Sequence, residues 1–232
     1  MKVGIMQPYF LPYIGYWQLM NAVDKYVIYD DVNFIKGGWI NRNRILMNGE
    51  AKMINLQMNG ASPNKLINEV EVLGNPIHNK KLLKTIESCY KKAPYYSNVF
   101  PVIENIINQD EKNLAKYLEF SIRQICEYLS IDTEIIVSST INKNNDLRGE
   151  DKVIEICKVL GADEYFNAIG GQDLYSYDGF AVHEIKLSFL KTNSVEYKQF
   201  NNEFGSNLSI IDVMMFNSRY QIKDMFEVYE LL

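Results

Sequence analysis

Two short apolar runs near the start of the chain, with a helical pattern between them, constrain the fold most. Residues 3–6 form a run of the buried type that stops at Gln7, and residues 26–30 (YVIYD) form a second run that ends in an acid. Between them Pro12 precedes IGYWQLMNAV, whose apolar spacing is typical of a helix. A strand, a helix and a second strand in about 30 residues indicate the βαβ unit of a parallel sheet.

The later chain repeats this order. Residues 134–168 read as a second βαβ unit, and the remaining elements are expected at 44–47, 52–57, 150–160, 165–168, 186–190, within LSIIDVMMFNS and at 219–231. Asn48-Gly49 lies between the first two of these stretches and favours a tight hairpin turn. We therefore expect an α/β fold with a mostly parallel, Rossmann-like sheet built from βαβ units and a small β-hairpin.

A helical section interrupts the sheet pattern in the middle of the chain. Helical periodicity recurs in three segments punctuated by Pro94 and Pro101, at 79–92, 98–108 and 112–129. We expect residues 1–78 and 130–232 to form the α/β core. Residues 79–129 are then a helical subdomain inserted into the same compact unit.

Charge and composition limit the classes of partner that we expect for this chain. The net charge of −5 lacks the basic footprint of a nucleic-acid binder, and no apolar run approaches the ~20 residues that span a bilayer. Met1-Lys2 leads directly into a strand, so we expect no signal peptide. The widely spaced Cys89, Cys126 and Cys157 indicate neither a disulfide framework nor a metal site, and fit a reducing cytoplasm. The oligomeric state stays open.

Three polar, glycine-bearing stretches follow predicted strands. They are QPYFLPYIGY, DDVNFIKGGWINRNR and AIGGQDLY. In open parallel sheets ligands bind beyond the carboxyl ends of the strands, so these stretches are expected to form the site. In the first stretch Gln7, Tyr9, Tyr13 and Tyr16 should line it, since tyrosine offers an apolar body with a polar tip. Substituting Tyr13 should weaken ligand binding more than stability.

The second stretch supplies a basic candidate group: Lys36, Trp39, Asn41, Arg42 and Arg44. Arg42 and Arg44 alternate, so in an extended segment they face one side and suit a pyrophosphate or a carboxylate. Lys36 precedes two glycines whose N–H groups could also approach an anion. The alternative is a solvated basic turn, or ion pairs with Asp30 and Asp31. The neighbouring tryptophan favours a stacked ligand.

Further candidates follow later strands. Gly170 and Gly171 could open a helix N-terminus for phosphate, although a turn or helix end fits equally well. Ser138 and Ser139 offer hydroxyls, although a helix cap or a local turn explains them too.

Three residues are candidate bases: Asp30, Asp31 and His183. The carboxylates could act as bases only if burial raises their pKa, whereas imidazole titrates near neutral pH. The alternative for His183 is a surface or structural role. The sequence holds no GxSxG, P-loop, HExxH, GxGxxG or CxxC motif.

Several long motifs resemble the WbqC-like family. They are QPYFLPYIGYWQLM, DDVNFIKGGWINRNRIL, NAIGGQDLY and LSIIDVMMFNS, with YKKAP, IVSST and LRGEDKVIEICKVLGA matching in order between them. The resemblance covers nearly the whole chain. It implies a gene that lies in a bacterial O-antigen or surface-glycan gene cluster, often beside genes for amino-sugar enzymes. The expected activity is hence a cytoplasmic step on a nucleotide-linked sugar. It supplies no catalytic residues.

The opening stretch is also similar to the HxGH signature of nucleotidylyltransferases and pantothenate synthetases. Tyr13 and Tyr16 stand where the histidines would, around Gly15. Tyrosine cannot carry the positive charge that histidine offers a leaving phosphate. Either the adenylylation chemistry is lost, or Lys36 and the arginines replace it.

We therefore expect a transferase that attaches an acyl or aminoacyl group to the amine of a nucleotide-linked amino sugar. The cofactor is unknown, and the activated donor could be a thioester on an acyl carrier or coenzyme A, or an acyl adenylate made with ATP. One alternative is an ATP-dependent nucleotidylyltransferase or amide ligase, with Asp30 or Asp31 near magnesium. The other is a non-catalytic carbohydrate-binding protein of the glycan machinery.

Overall fold

The computed structural model describes residues 1–201 and 203–232. Its strands, in chain order, are β1 (Lys2–Met6), β2 (Lys25–Ile28), β3 (Arg42–Met47), β4 (Glu50–Asn55), β5 (Met58–Asn59), β6 (Glu71–Val72), β7 (Glu134–Val137), β8 (Glu164–Ala168), β9 (Lys186–Thr192) and β10 (Tyr229–Leu231).

The α-helices, in chain order, are α1 (Ile14–Asn21), α2 (Pro76–Tyr90), α3 (Tyr96–Ile107), α4 (Leu114–Leu129), α5 (Gly149–Leu160), α6 (Tyr177–Ala181), α7 (Ile210–Phe216) and α8 (Arg219–Met225). Single 3-10 turns lie at Ile67–Glu69 and Ser138–Thr140, and a longer 3-10 segment covers Ile169–Leu174.

A central sheet with the strand order β10-β9-β8-β1-β2-β7 organises the molecule. All neighbouring strands are parallel except β10, which runs antiparallel to β9. This confirms the predicted α/β fold with a mostly parallel sheet. The chain moves outward from β1 through β2 to β7, then crosses back to β8 on the other side of β1. The strand order therefore reverses between β1 and β8, where ligands of such sheets bind.

Both faces of the sheet are covered, which explains the continuous apolar runs of its inner strands. Val3 and Ile5 of β1 pack with apolar residues of α5 and α6 on one face. Gly4, between them, faces the other side, where an added Cβ would stand 3.3–3.4 Å from Tyr26 and Val23. Helix α1 lies on this second face and buries Trp17 completely.

The helical section packs on the same face as α1. Asn113 caps α4 by accepting a hydrogen bond from the Lys116 N–H at 3.2 Å, and α4 buries an apolar stripe through Leu118, Ile122 and Ile125. One apolar cluster continues from α1 through α2, α3 and α4. The boundaries expected at residues 79 and 129 therefore stay a prediction.

The predicted hairpin is present as β3 and β4; the first strand ends at Met47 as expected, and the other three strand ends lie two residues before the expected ones. Asn48 and Gly49 both have positive φ angles, 53° and 85°, as the tight turn requires.

Two other expectations need correction. The strands of the unit at 134–168 are not neighbours, because β2 and β1 lie between β7 and β8. The expected helix at 219–231 ends at Met225, and β10 follows. Residues 229–231 pair with β9, and this tertiary pairing decides the structure of a short run whose pattern is ambiguous.

Candidate functional site

A cavity of about 590 Å³ opens where the strand order reverses, beyond the carboxyl ends of β1 and β8. We call it the switch-point cavity. All three predicted stretches contribute to its polar, aromatic and glycine lining, together with Tyr29 and Asn167 beside them: Gln7, Tyr9, Tyr13, Tyr29, Trp39, Asn167, Gly170, Gly171 and Tyr175. The structure thus brings six sequence-predicted site residues to one place.

A smaller cavity of about 290 Å³ adjoins the first. We call it the Arg44 pocket, and its lining is Tyr9, Pro12, Tyr13, Trp39, Asn43, Arg44 and Asn207. Tyr9, Tyr13 and Trp39 line both cavities. These three rings therefore separate two compartments of one site.

The backbone of the aromatic loop is fixed from outside. Asn43 donates its amide hydrogens to the carbonyl oxygens of Phe10 (3.1 Å) and Leu11 (2.7 Å), and the Ser209 hydroxyl donates to Leu11 as well (2.7 Å). Leu11 has a left-handed φ of 47°, which is strained for a leucine. Side chains from β3 and from the start of α7 hold this conformation, so the loop presents its rings from a fixed frame.

The HxGH-like turn places its two tyrosines differently. The Tyr13 ring folds back over Gly15 and lines both cavities. Tyr16 is buried below, where its hydroxyl donates to the Gln7 carbonyl oxygen at 3.2 Å and its ring packs edge-on against Tyr26. Tyr16 therefore supports the loop, and it is not among the residues that line either cavity.

The tyrosines of the cavity can act as hydrogen-bond donors. Burial raises the pKa of Tyr9, Tyr13, Tyr29 and Tyr175 above the ordinary value of a phenol. Their hydroxyls stay protonated at neutral pH, so they can orient a ligand or bind a developing oxyanion.

Gln7 contributes a polar side chain to the lining of the switch-point cavity. It follows β1 directly, and no described residue hydrogen-bonds to its side-chain amide. Across the cavity, the Asn167 amide is occupied, because it donates to the Tyr165 hydroxyl at 2.8 Å and accepts from the Ala168 N–H at 2.7 Å. Gln7 is therefore the amide available to a ligand.

Most of the basic loop has structural contacts. Arg42 donates its Nε to the Gly38 carbonyl oxygen at 2.9 Å and also binds the Gly37 carbonyl, which closes the loop on itself. Asn41 exchanges hydrogen bonds with Leu56 across the hairpin. Lys36 is exposed and is not among the residues lining either cavity.

Arg44 and Trp39 form the edge of the site. The Arg44 guanidinium lies 5.4 Å from the centre of the Trp39 ring, and that of Arg42 lies 6.0 Å away. Trp39 keeps 39% of its surface exposed, against 0% for Trp17. A ligand can therefore still reach Trp39.

Asp31 belongs to a buried ionic cluster. Its Oδ2 lies 2.8 Å from Lys143 Nζ and 3.1 Å from Lys152 Nζ, and its Oδ1 accepts from Ser138 at 2.7 Å. Burial alone would raise the pKa of Asp31, but hydrogen bonds from Lys143, Ser138 and Lys152 outweigh it and hold the pKa below its usual value. Asp31 is therefore a weak base. It does not meet the condition set for a catalytic carboxylate, which is a pKa raised by burial.

The cluster also contacts the cavity wall. Lys152 Nζ lies 5.4 Å from the centre of the Tyr29 ring, and Tyr29 lines the switch-point cavity. The two lysine side chains are only 1% and 3% exposed. Asp30 is bound separately, because Ser139 donates both its backbone N–H (2.9 Å) and its hydroxyl (2.6 Å) to the carboxylate.

His183 lies away from the other candidates. It is exposed and precedes β9, so it lies at the amino ends of the parallel strands, opposite the cavity. The structure therefore does not bring it to the site.

Gly170 and Gly171 lie in the 3-10 segment after β8. A Cβ on Gly171 would come within 2.9 Å of the Asn167 amide, whereas one on Gly170 would meet nothing within 4 Å. Gly171 thus allows a close approach, and Gly170 faces open space.

Sequence reasoning did not include several residues of this site. Tyr29 and Asn167 lie near the carboxyl ends of the predicted strands 26–30 and 165–168, and Tyr175 ends the AIGGQDLY stretch, so their positions were an available signal. Asn207 reaches the Arg44 pocket from a loop distant in sequence, and Lys143 and Lys152 reach Asp31 from a loop and from α5, so nothing in the local pattern marks them.

Other features of the described residues set the context. A groove of about 880 Å³ lies along α2 and α3, with Lys80, Lys84 and Phe100 in its lining, and contains none of the predicted site residues. None of the helices in the described ranges combines the length and apolar character needed to cross a membrane.

Comparisons with known proteins agree with the sequence motifs. The chain is 27% identical over 217 residues to Uncharacterized protein Rv1507c of Mycobacterium tuberculosis (strain ATCC 25618 / H37Rv), with 92% of each chain covered. No solved structure matches the chain significantly. The sequence model of the WbqC-like protein family matches residues 7–224. This range includes every residue that lines either cavity, except Ile5 and Met6 of the switch-point cavity. The chain therefore belongs to the WbqC-like protein family.

Proposed function

We propose that the protein is a transferase that attaches an acyl or aminoacyl group to the amine of a nucleotide-linked amino sugar, in O-antigen or surface-polysaccharide biosynthesis in the cytoplasm. The observation that carries this proposal is the switch-point cavity, whose polar lining is uncharged and rich in tyrosine. Membership of the WbqC-like family supports the proposal, since the resemblance implies surface-glycan biosynthesis.

The cavity chemistry suits a sugar. Tyrosine and tryptophan rings stack on the apolar faces of sugar rings, and their polar tips reach hydroxyl groups. The free amide of Gln7 can accept from an amine or a hydroxyl and donate to a ring oxygen. A nucleotide-linked sugar bound here would keep its reactive amine near the start of the aromatic loop.

The transfer step needs little acid–base chemistry from the protein. The neutral amine attacks the acyl carbonyl carbon of a thioester, a C–N bond forms, the C–S bond breaks, and the departing thiolate takes up the amine proton. The lowered pKa of Asp31 makes it a poor base for this step. The protonated tyrosines and the bound geometry would act by orientation and by donating hydrogen bonds to the carbonyl oxygen as it gains charge.

A second candidate is a carbohydrate-binding protein without catalysis. It is favoured by the lining of the switch-point cavity, in which the described residues include no carboxylate and no imidazole. The ATP-dependent alternative has less support, since Tyr16, at the second position of the HxGH-like turn, is buried below the loop.

An enzymatic assay distinguishes these functions. The protein is incubated with a UDP-linked amino sugar and a panel of acyl-coenzyme A donors, then with ATP and free acids. Free thiol and the acylated sugar nucleotide are followed by colorimetry and mass spectrometry. We expect equal amounts of thiol and product, both lost in Gln7→Ala. Sugar-nucleotide binding without product from any donor supports the carbohydrate-binding function, and pyrophosphate release with ATP supports the ligase.

A further inference from the structure

Arg44 is a half-buried cation without a carboxylate. Its Nη2 donates to the Asn207 carbonyl oxygen at 3.1 Å, whereas its Nε is buried and has no partner among the described residues. Among those residues no carboxylate forms an ion pair with Arg44. Asp31 forms its ion pairs with two lysines, and Asp30 accepts hydrogen bonds from Ser139.

Such an arrangement is energetically unfavourable by itself. A guanidinium offers five N–H donors, and a buried donor without an acceptor loses the hydrogen bonds that water would give it. Trp39 covers one face of the Arg44 guanidinium, which leaves the donors at its edge. An anion with two oxygens can bind that edge through two parallel hydrogen bonds.

The lining of the Arg44 pocket selects for negative charge. The lining contains the rings of Tyr9, Tyr13 and Trp39, and its amides are Asn43 and Asn207. Arg44 is the charged residue of this lining, so an oxyanion meets attraction and no opposing carboxylate among the described residues.

The other two cations of the loop are excluded by their positions. Arg42 spends donors on the carbonyl oxygens of Gly37 and Gly38, and Lys36 is exposed outside both cavities. The anion contact is therefore assigned to one residue of the three that the sequence offered.

We infer that the Arg44 pocket is an oxyanion subsite. It binds a phosphoryl or carboxylate group of a ligand whose uncharged part occupies the switch-point cavity, and the ligand passes Tyr9, Tyr13 and Trp39 between the two compartments. Only the identity of the natural ligand rests on the proposed function. The oxyanion comes either from the diphosphate of a nucleotide-linked sugar or from the carboxylate of an acidic donor.

Binding measurements with defined probes test this inference. The probes are UDP-glucose, inorganic pyrophosphate, malonate and uncharged methyl glucoside, measured by calorimetry and by quenching of Trp39 fluorescence. Arg44→Met is compared with Arg219→Met, a matched control, since Arg219 also stacks on an aromatic ring (Tyr128, 4.3 Å) but lies on α8. Trp39→Phe shows how much of the signal comes from Trp39.

We expect Arg44→Met to weaken binding of UDP-glucose by about 10- to 100-fold, the range for a charge-assisted hydrogen-bonded pair, and to leave methyl glucoside unchanged. Arg219→Met should bind like the wild type. Preferential loss of pyrophosphate binding assigns the subsite to phosphoryl groups, and preferential loss of malonate binding assigns it to carboxylates.

The inference is overturned if Arg44→Met binds every anionic probe as well as the wild type does. If Arg44→Met does not fold, the binding test uses Arg44→Lys instead, together with the salt dependence of anion binding to the wild type. Anion affinity that does not fall with rising salt then overturns the inference. An intact oxyanion subsite without acyl transfer refutes only the proposed function, whereas acyl transfer unaffected in Arg44→Met refutes only the subsite.

Discussion

Gly15→Ala is a steric test of the wall that Tyr13 forms. A Cβ on Gly15 would stand 2.5 Å from the Tyr13 hydroxyl oxygen and 2.6 Å from its Cε2, and it would also overlap Thr192 Oγ1. Real contacts of this kind are above 3 Å, so the Tyr13 ring must move. Because Tyr13 lines both cavities, its movement changes the shape of the site.

The expected loss of stability is small. Overpacking of this kind costs about 1–3 kcal/mol, and replacing glycine by alanine inside a helix returns about 1 kcal/mol. The net loss is then about 0–2 kcal/mol, which lowers the melting temperature by up to about 8 °C in a chain of this size. The affinity for UDP-glucose should fall by roughly tenfold or more, because the displaced ring occupies space that the ligand needs.

Thermal unfolding and Trp39 quenching measure the two effects. Gly170→Ala is the matched control for thermal unfolding alone, because Gly170 itself lines the switch-point cavity; a Cβ there meets no atom within 4 Å, so its melting temperature should not fall. In a double-mutant cycle, Tyr13→Ala should reduce the stability loss caused by Gly15→Ala, because much of the overlap is gone. An identical loss with and without the Tyr13 ring would refute the packing described for this turn.

Three further predictions concern two buried carboxylates and an exposed lysine. Asp31→Asn should lower the free energy of unfolding in urea by about 3–5 kcal/mol at neutral pH, because it leaves the buried Lys143 and Lys152 unpaired; a change below 1 kcal/mol contradicts this. The folded-state pKa of Asp31 is lowered, so its stabilising effect is complete above the unfolded pKa of about 4 and is lost as pH falls through the folded pKa; the variant should lack this loss. Burial raises the pKa of Asp212, although hydrogen bonds from two tyrosines and a glutamine partly offset this rise. The pH dependence that Asp212 gives to folding stability is therefore opposite in sign to that of Asp31. That contribution is present below about pH 4 and is lost as pH rises through the folded pKa; in Asp212→Asn, unfolding measured between pH 3 and 7 should lack this decline, and an unchanged pH profile would argue against it. Lys36→Ala should leave the melting temperature and the UDP-glucose affinity unchanged, because Lys36 is exposed. A tenfold loss of UDP-glucose affinity would show that Lys36 contacts the ligand.

The sequence predicts the location of the switch-point cavity better than the details of its lining. Gln7 directly follows the first buried run, Tyr29 lies near the end of the second, and Gly170 comes two residues after the run at 165–168; parallel strands bring their carboxyl ends to one edge, so a cavity there follows from local pattern. His183 precedes its strand and therefore lies at the opposite edge, which the same rule could have indicated. Strand direction at each candidate is thus the most informative sequence signal in this chain.

Side-chain roles depend on long-range contacts that no local pattern contains. Asp31 is held by Lys143 and Lys152, which lie more than 100 residues away, so its state could not be read from its neighbours. Arg42 and Arg44 look equivalent in the sequence. The glycine carbonyls of their own loop bind Arg42, and Arg44 is left at a cavity.

The central claim is that the substrate binds where the strand order reverses. The most direct test is a crystal structure of the protein soaked with a UDP-linked amino sugar. We predict density for the sugar beside Gln7 and Gly170 in the switch-point cavity, with the diphosphate at Arg44. A fully occupied ligand found only in the groove along α2 and α3, beside Lys80 and Phe100, would contradict the claim.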